Sequence, residues 1–132
     1  RFGWEHYKEK VTKKIELVAN EPFLIPPHSY ILGSSYEYFK MPKFLSGEVI
    51  GKSTLARSGI LINTTPIEPE WEGNITIEIG NVTPCHVAIY PMEGIAQIRF
   101  MKIFGEVETS YKDKKGKYQA QKGVTLPRMK EE

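Results

Sequence analysis

The sequence predicts a mostly β fold, a compact antiparallel barrel or distorted jelly roll with one short helix. Nine prolines and eleven glycines punctuate the 132-residue chain, and turn residues at this density argue against a helical bundle. The runs between them are short and rich in β-branched residues, which is typical of strands. A chain of this length favours a single domain spanning residues 1–132, with assembly able to add stability.

Eight runs are bounded by proline, glycine or polar turn residues, as strands are. The predicted strands are Phe23–Ile25, Ser29–Leu32, Tyr36–Phe39, Glu48–Ile50, Ile60–Asn63, Asn74–Ile79, His86–Tyr90 and Ile95–Phe104. A ninth candidate strand is Val107–Thr109. The one predicted helix is Thr54–Ser58, which follows a glycine turn and opens at Ser53.

Apolar and polar residues alternate along the predicted strand Asn74–Ile79, as they do in a half-buried strand. Three isoleucines would point to one face, and the polar side chains would point to the other: Asn74, Thr76 and Glu78. A glutamate on such a face is most often a solvated side chain. The alternative is a reactive carboxylate, and alternation alone does not separate the two.

Charge and cysteine content narrow the function classes. The net charge of +2 is too mild to predict a nucleic-acid partner. Five lysines do crowd one segment, where they would suit a triphosphate or form a solvated tail: Lys112, Lys114, Lys115, Lys117 and Lys122. The single cysteine, Cys85, rules out an internal disulfide and is compatible with a reducing cytoplasm. With no apolar span in the sequence, we expect no membrane partner.

Two other patterns give no site. The three histidines are far apart and no CxxC or HxE arrangement is present, so a zinc centre of the kind used by many nucleobase deaminases is not expected. Asn-x-Ser/Thr sequons occur at Asn63, Asn74 and Asn81. Because no signal peptide accompanies them, we interpret them as chance matches.

The segment Gly51–Arg57 has the character of a phosphate site. A helix that opens at Ser53 would present free backbone N–H groups, which attract phosphate oxygens. Ser53 and Arg57 are i,i+4 neighbours, so one helix face would carry a hydroxyl and a guanidinium side by side. This pair could grip phosphate or steer a carboxylate.

Three stretches in this order carry a resemblance: Gly51–Arg57, Glu68–Glu78 and Gly116–Gln121. Together they resemble the dCTP deaminase branch of the dUTPase-like superfamily. The resemblance runs from about Pro22 to Arg128 and includes Gly33–Pro42, so it covers most of the chain. Several separated motifs in the right order are far more specific than one glycine-serine turn.

The resemblance implies zinc-independent hydrolytic deamination of dCTP to dUTP and ammonia. This reaction belongs to pyrimidine deoxynucleotide metabolism and supplies dUTP or dUMP for dTTP synthesis. In the implied mechanism Glu78 is the general base that activates water. Arg57 holds Glu78 and the water in line, and Ser53 orients the water or the 4-amino group.

The resemblance also implies the substrate contacts, a dUTPase-like barrel and a homotrimer with sites between subunits in the cytoplasm. Magnesium is expected only with the nucleotide triphosphate, with no dedicated metal site, and dTTP is a candidate inhibitor. The tail could fold over substrate as a lid. The implied binding residues are Lys52, Ser53, Thr54, Arg57, Thr65, Glu68, Trp71, Tyr111, Lys117, Tyr118 and Gln121.

Some features depart from the family pattern. Relatives carry an upstream Ser-x-Asp-x-Arg strand, whereas the only aspartate here is Asp113, so we expect an N-terminal segment of the family to be lacking. The segment Thr64–Glu68 is shorter than in longer-looped relatives and changes the base contacts. Glu68 replaces the aspartate of many relatives, including bifunctional ones that also release diphosphate.

Three alternatives to a simple deaminase stay open. A bifunctional dCTP deaminase/dUTPase would form dUMP and diphosphate. A plain dUTPase is less favoured, because it has no use for Glu78 beside C4 and its glycine-rich C-terminal arm is replaced by Gly116–Gln121. A catalytically silent nucleotide-binding barrel would bind without releasing ammonia.

Overall fold

The computed structural model describes residues 12–105 and 109–128, which contain seven strands and one helix. In chain order these are β1 (Phe23–Ile25), β2 (Tyr30–Lys40), β3 (Leu45–Gly51), α1 (Ser53–Arg57), β4 (Ile60–Asn63), β5 (Glu72–Asn81), β6 (Val87–Ile89) and β7 (Ala96–Lys102). The predicted mostly β fold with one short helix is confirmed.

The strands form three small antiparallel sheets. One sheet pairs β1 with β6, a second has the order β2-β5-β4, and a third pairs β3 with β7. Strand β5 is central, because it pairs with β2 along one edge and with β4 along the other. The groups on its exposed face therefore lie in the middle of the second sheet.

The predicted alternation along β5 is confirmed. Ile75 and Ile79 are buried, whereas Thr76 and Glu78 on the opposite face are partly exposed. Ile75 packs with one apolar cluster and Ile79 with another. The first comprises Met41, Val49, Ile67, Trp71 and Ile75, and the second comprises Ile25, Ile60, Ile79 and Ile89. β5 thus joins both halves of the core while its polar face stays accessible.

The prediction of two separate strands at Ser29–Leu32 and Tyr36–Phe39 is wrong, because β2 is continuous from Tyr30 to Lys40. The register of β2 against β5 shifts between Ser34 and Tyr38. Side chains bridge the irregularity: the Ser35 Oγ accepts from the Ile75 N–H at 2.8 Å, and the Asn74 amide donates to two carbonyls of β2. These bonds replace missing ladder bonds, so the strand passes through a bulge instead of ending.

Strand β3 begins at Leu45, three residues before the predicted start at Glu48. Gly47, inside this strand, lets Ile67 pack directly against its Cα. A Cβ added at Gly47 would meet Ile67 Cδ1 at 3.3 Å. Gly47 and Ile67 also exchange two backbone hydrogen bonds of 2.9 and 2.7 Å. A glycine in a strand here marks close approach of another segment. The candidate strand Val107–Thr109 falls largely outside the described residues.

Asn81, at the end of β5, is a buried hydrogen-bond centre with 2% relative exposure. Its Nδ2 donates to the carbonyls of Ile25, Pro26 and Cys85 at 3.1, 3.0 and 2.8 Å. Its Oδ1 accepts from the backbone N–H and hydroxyl of Thr83, both at 2.9 Å. One side chain therefore ties the end of β1 to the turn that leads into β6.

Candidate functional site

The Glu78 carboxylate lies half-buried on the polar face of β5. Its backbone pairs opposite Asn63 of β4 and Leu32 of β2. The Asn63 Nδ2 donates to Glu78 Oε2 at 2.7 Å. On the β2 side, burial and then the negative charge of Glu78 raise the pKa of Tyr30. Glu78 is therefore flanked by an amide donor and an aromatic ring.

The sheet leaves open space beside Glu78. Tyr30 of β2 and Leu61 of β4 both pair opposite Gly80 and so lie on the same face as Glu78. They are 64% and 52% exposed, although both are large and apolar. Gly80 has no side chain, and a Cβ added there would meet nothing within 4 Å. This face offers apolar contact area around a carboxylate.

One edge of β5 is only partly paired within the described ranges. The Asn74 N–H donates to the Gln121 carbonyl on this edge, and pairing with β4 begins at Glu78. Backbone groups of alternate strand residues point to the same side, so those of Thr76 face the same edge, between the two paired stretches. This unpaired stretch at Thr76, called the β5 gap, presents the Thr76 N–H and C=O two residues from Glu78.

The C-terminal tail, residues 109–128, docks along this edge. Gln121 forms a parallel bridge with Gly73, and its buried side-chain amide donates to the Asn74 carbonyl. Further on, the Gly123 N–H donates to Asn74 Oδ1 and the Thr125 N–H to Thr76 Oγ1, at 3.2 and 3.1 Å. Within the described residues, the tail therefore contacts Thr76 through the threonine hydroxyl, and the tail backbone does not pair with the backbone of Thr76.

Gly73 makes this docking close. Its φ of +148° is a conformation that side-chain-bearing residues rarely adopt. A Cβ there would lie 2.9 Å from both the Cγ and the carbonyl oxygen of Gln121. Gly73, in the motif Glu68–Glu78, therefore allows Gln121 of the motif Gly116–Gln121 to pack closely against it. This contact brings the two motifs together.

The aromatic residues of the site hold the tail. Trp71 is buried, and its Nε1 donates to the Tyr118 carbonyl at 3.0 Å. The Tyr118 N–H donates to the Tyr111 hydroxyl at 2.9 Å, and the Tyr118 hydroxyl accepts from the Arg128 N–H at 3.0 Å. These three residues of the predicted substrate set are joined by the fold.

The turn that opens the tail is stabilised by Asp113. Its carboxylate accepts from the Ser110 N–H and hydroxyl at 3.1 and 2.9 Å. These bonds lower the pKa of Asp113 from its usual value. Lys117 lies beyond this turn, exposed, and its Nζ donates to the Arg128 carbonyl at 3.0 Å. Its ammonium group is at the surface, where it can exchange one oxygen partner for another.

The helix residues lie apart from these contacts. Ser53, Thr54 and Arg57 are all exposed. Within residues 12–105 and 109–128, no side-chain hydrogen bond or ion pair is formed by Ser53 or Arg57, and none joins Arg57 to Glu78. Lys52, before the helix, donates from Nζ to the Gly94 carbonyl at 2.7 Å. The fold thus leaves the side chains of Ser53 and Arg57 unpaired within the part of the chain that the structure describes.

The remaining predicted residues lie between β4 and β5. Thr65 is exposed in the loop that leaves β4. Glu68 is half-exposed and lies 3.8 Å from Lys114 Nζ of the tail turn. Sequence reasoning did not single out Gln119, whose side chain bonds the backbone of Glu70 and Glu72 at 3.0 and 3.4 Å. Its position between Tyr118 and Gln121, two predicted binding residues, was the sequence signal that could have identified Gln119.

The sequon asparagines were also missed as functional groups. The Nδ2 atoms of Asn63, Asn74 and Asn81 all donate hydrogen bonds within the chain. Asparagine is depleted from strand interiors, so Asn63 and Asn74, at the ends of predicted strands, were a usable signal; Asn81 lies beyond the predicted strand Asn74–Ile79.

In the described part of the chain, no group of three or more His, Cys, Asp or Glu side chains could hold a metal ion. Nor is any helix there long and apolar enough to cross a bilayer.

The fold defines a class. The native EIAV dUTPase superposes with a TM-score of 0.58 at 22% identity, over 70% of this chain and 78% of that one, so the chain has a dUTPase-like fold. Within this class the family model described as dCTP deaminase-like matches residues 4–103. The chain belongs to the dCTP deaminase-like family, and the resemblance seen in the sequence is confirmed.

Individual relatives agree. The chain is 49% identical over 121 residues to the dCTP deaminase of Dichelobacter nodosus, 50% over 123 residues to that of Helicobacter hepaticus, and 56% over 105 residues to that of Chloroflexus aurantiacus. These alignments include 92%, 93% and 80% of this chain. They include 64%, 65% and 56% of the relatives, so the chain spans less than two thirds of their length.

Proposed function

We propose that this chain provides the catalytic domain of a dCTP deaminase, which hydrolyses dCTP to dUTP and ammonia without zinc. The observation that carries the proposal is the half-buried Glu78 carboxylate, held by Asn63 beside the open edge of β5. A carboxylate fixed next to free backbone groups can activate water against a ring that those groups orient. Membership of the dCTP deaminase-like family supports this reading.

In the proposed reaction, water attacks C4 of the cytosine ring and Glu78 accepts its proton. Glu78 passes this proton to the ring nitrogen next to C4. The remaining hydroxyl proton of the adduct then moves through Glu78 to the amino group, so ammonia leaves as the C4 carbonyl forms. Ser53 would orient the water or the 4-amino group, and Arg57 would align Glu78 and the water. No covalent intermediate with the protein is needed.

The base would be recognised at the β5 gap. The Thr76 N–H can donate to a ring acceptor of cytosine, and the Thr76 C=O can accept from the 4-amino group. This pairing would take the place of a neighbouring strand along the free edge. Thr65, in the loop after β4, would contact the substrate, and the docked tail with Trp71, Tyr111, Tyr118 and Gln121 would close the end of the gap at Asn74.

We further propose a homotrimer with sites between subunits. Arg57 and Ser53 have exposed side chains that are unpaired within the described chain, and Glu78 has no cation within ion-pair distance there. A second copy could bring helix α1 to Glu78 while covering the exposed Tyr30 and Leu61. Burial of such apolar area is the usual driving force for subunit association.

The triphosphate would enter with magnesium as part of the substrate, and Lys52, Thr54 and Lys117 would contact its phosphates. A cytoplasmic location, dTTP as an inhibitor and a role in supplying dUTP or dUMP for dTTP synthesis belong to the same proposal. Bifunctional cleavage to dUMP and diphosphate is less favoured, because Glu68 replaces the aspartate of many relatives and its carboxylate lies 3.8 Å from Lys114.

The direct test is incubation of the full chain with dCTP and magnesium, followed by separation of the nucleotides and assays for ammonia and diphosphate. Ammonia with dUTP supports the proposal. Ammonia with dUMP and diphosphate would show that Glu68 serves a second hydrolysis. Nucleotide binding without ammonia release would overturn the proposal in favour of a silent barrel.

Lys117→Ala is expected to raise KM for dCTP about tenfold with little change in kcat, because one charge-assisted bond to phosphate is lost in ground and transition states alike. Steady-state kinetics with dCTP measure both constants. Lys13→Ala removes the same charge from an exposed site outside the tail and serves as the control. An unchanged KM in Lys117→Ala would leave the lysine with its structural bond to Arg128 alone.

A further inference from the structure

We infer that Asn63 is a positioning residue for Glu78, a role that rests on the proposed function. In the sequence it had no assigned functional role and was marked only as part of a sequon and as the last residue of a predicted strand. In the structure it is the last residue of β4 and lies directly opposite Glu78 in the ladder. Its Nδ2 contacts Glu78 Oε2 at 2.7 Å.

The backbone register makes this contact specific. Directly opposed residues of an antiparallel pair have Cβ atoms about 4.5–5.5 Å apart, so their side chains meet on one face. β4 ends at Asn63 and the chain turns away through residues 64–66, which places the amide at the border of the β5 gap. Only here does β4 reach the proposed base.

The bond leaves Glu78 with one committed oxygen and one free oxygen. Oε2 accepts from Asn63, whereas Oε1 has no hydrogen-bond partner in the described ranges. A general base needs a single oxygen for the proton of water, and a side chain restrained through the other oxygen loses less entropy in reaching the reactive geometry. Asn63 would hold the rotamer without competing for the proton.

An amide suits this task better than the charged alternatives. It remains a donor at every pH at which the protein is folded, and it carries no charge. A second cation at position 63, in addition to the proposed Arg57, would further weaken Glu78 as a base, and an aspartate there would repel the carboxylate. Among the described residues, Tyr30 of β2 is a titratable group facing Glu78. A tyrosine carries no charge at physiological pH, and burial and then the charge of Glu78 raise the pKa of Tyr30 further.

The kinetic test compares Asn63→Ala and Asn63→Asp with wild type. We expect kcat to fall roughly 30-fold in Asn63→Ala with KM within about twofold, because base alignment is lost and substrate binding is not. In Asn63→Asp the acid limb of the kcat/KM profile should also move to higher pH, since a second carboxylate disfavours ionised Glu78. Asn20→Asp adds the same charge in the exposed turn before β1 and should leave the profile unchanged.

A spectroscopic readout keeps the inference separate from the assay. The side-chain amide resonance of Asn63, identified by its absence in Asn63→Asp, should move as Glu78 is protonated on acidification. It should also move in Glu78→Gln. An Asn63 resonance that responds to neither change would overturn the contact itself, whether or not the protein turns over dCTP.

The kinetic outcomes separate the two proposals. If wild type releases no ammonia, the proposed function fails, and the positioning role fails with it. If wild type is active and Asn63→Ala keeps the kcat and pH profile of wild type, the proposed function stands and the role of Asn63 is overturned.

Discussion

Glu78→Gln is expected to lower the rate of ammonia release from dCTP by roughly 10³-fold. The amide keeps the shape of the carboxylate but cannot accept the proton of the attacking water. The affinity for dCTP should stay within a few-fold of wild type, because the proposed contacts to the cytosine ring and to the phosphates are made by other groups. Steady-state kinetics give the rate, and calorimetric titration with dCTP gives the affinity.

Glu72→Gln is the matched control, since Glu72 lies on the same face of β5, six residues earlier, and is also half-buried. It should retain turnover close to wild type. Loss of affinity with retained turnover in Glu78→Gln would contradict the role of Glu78 as the base and would favour a binding role instead.

Asn81→Ala is expected to lower the free energy of unfolding by about 3 kcal/mol. The substitution leaves three backbone carbonyls and the Thr83 N–H without their present partner in a buried site. Unpaired buried polar groups are among the costliest defects a single substitution can create. Urea denaturation followed by tryptophan fluorescence measures the change.

Asn63→Ala provides the comparison, because Asn63 is exposed and makes a single side-chain hydrogen bond. Its unfolding free energy should stay within about 1 kcal/mol of wild type. A similar small change in Asn81→Ala would mean that the turn at 83–85 does not depend on Asn81. Comparing the two variants also shows whether a loss of activity in Asn63→Ala arises in a folded protein.

Much of the fold was predictable from local pattern. The alternation at Asn74–Ile79 identified the central strand and its polar face, because successive side chains of a strand point to opposite faces of the sheet. The single strand β2 was not predictable, since Gly33-Ser34-Ser35 has the composition of a turn. Only contacts from Asn74 and Ile75, about forty residues away in sequence, carry the strand through its bulge.

The candidate site was likewise predictable in part from the sequence. The order of the motifs predicted Glu78, the helix residues and the tail, and the fold brings the tail to Gly73 and Trp71. The partner of Glu78 was missed, because Asn63 lies fifteen residues away and its local context indicated only a sequon. A hydrogen bond between strands depends on register, which local sequence does not encode.

By itself, the sequence determined the β-rich class, the polar face of β5, the family and the identity of the proposed base. These follow from residue types, their period and the order of motifs, all of which are local or collinear properties. The tertiary structure alone decided that Asn63 holds Glu78, that Asn81 ties β1 to the turn before β6, and that the tail leaves the edge of β5 open at Thr76. Each of these depends on which strands become neighbours and in which register, and that choice is made by packing of the whole core.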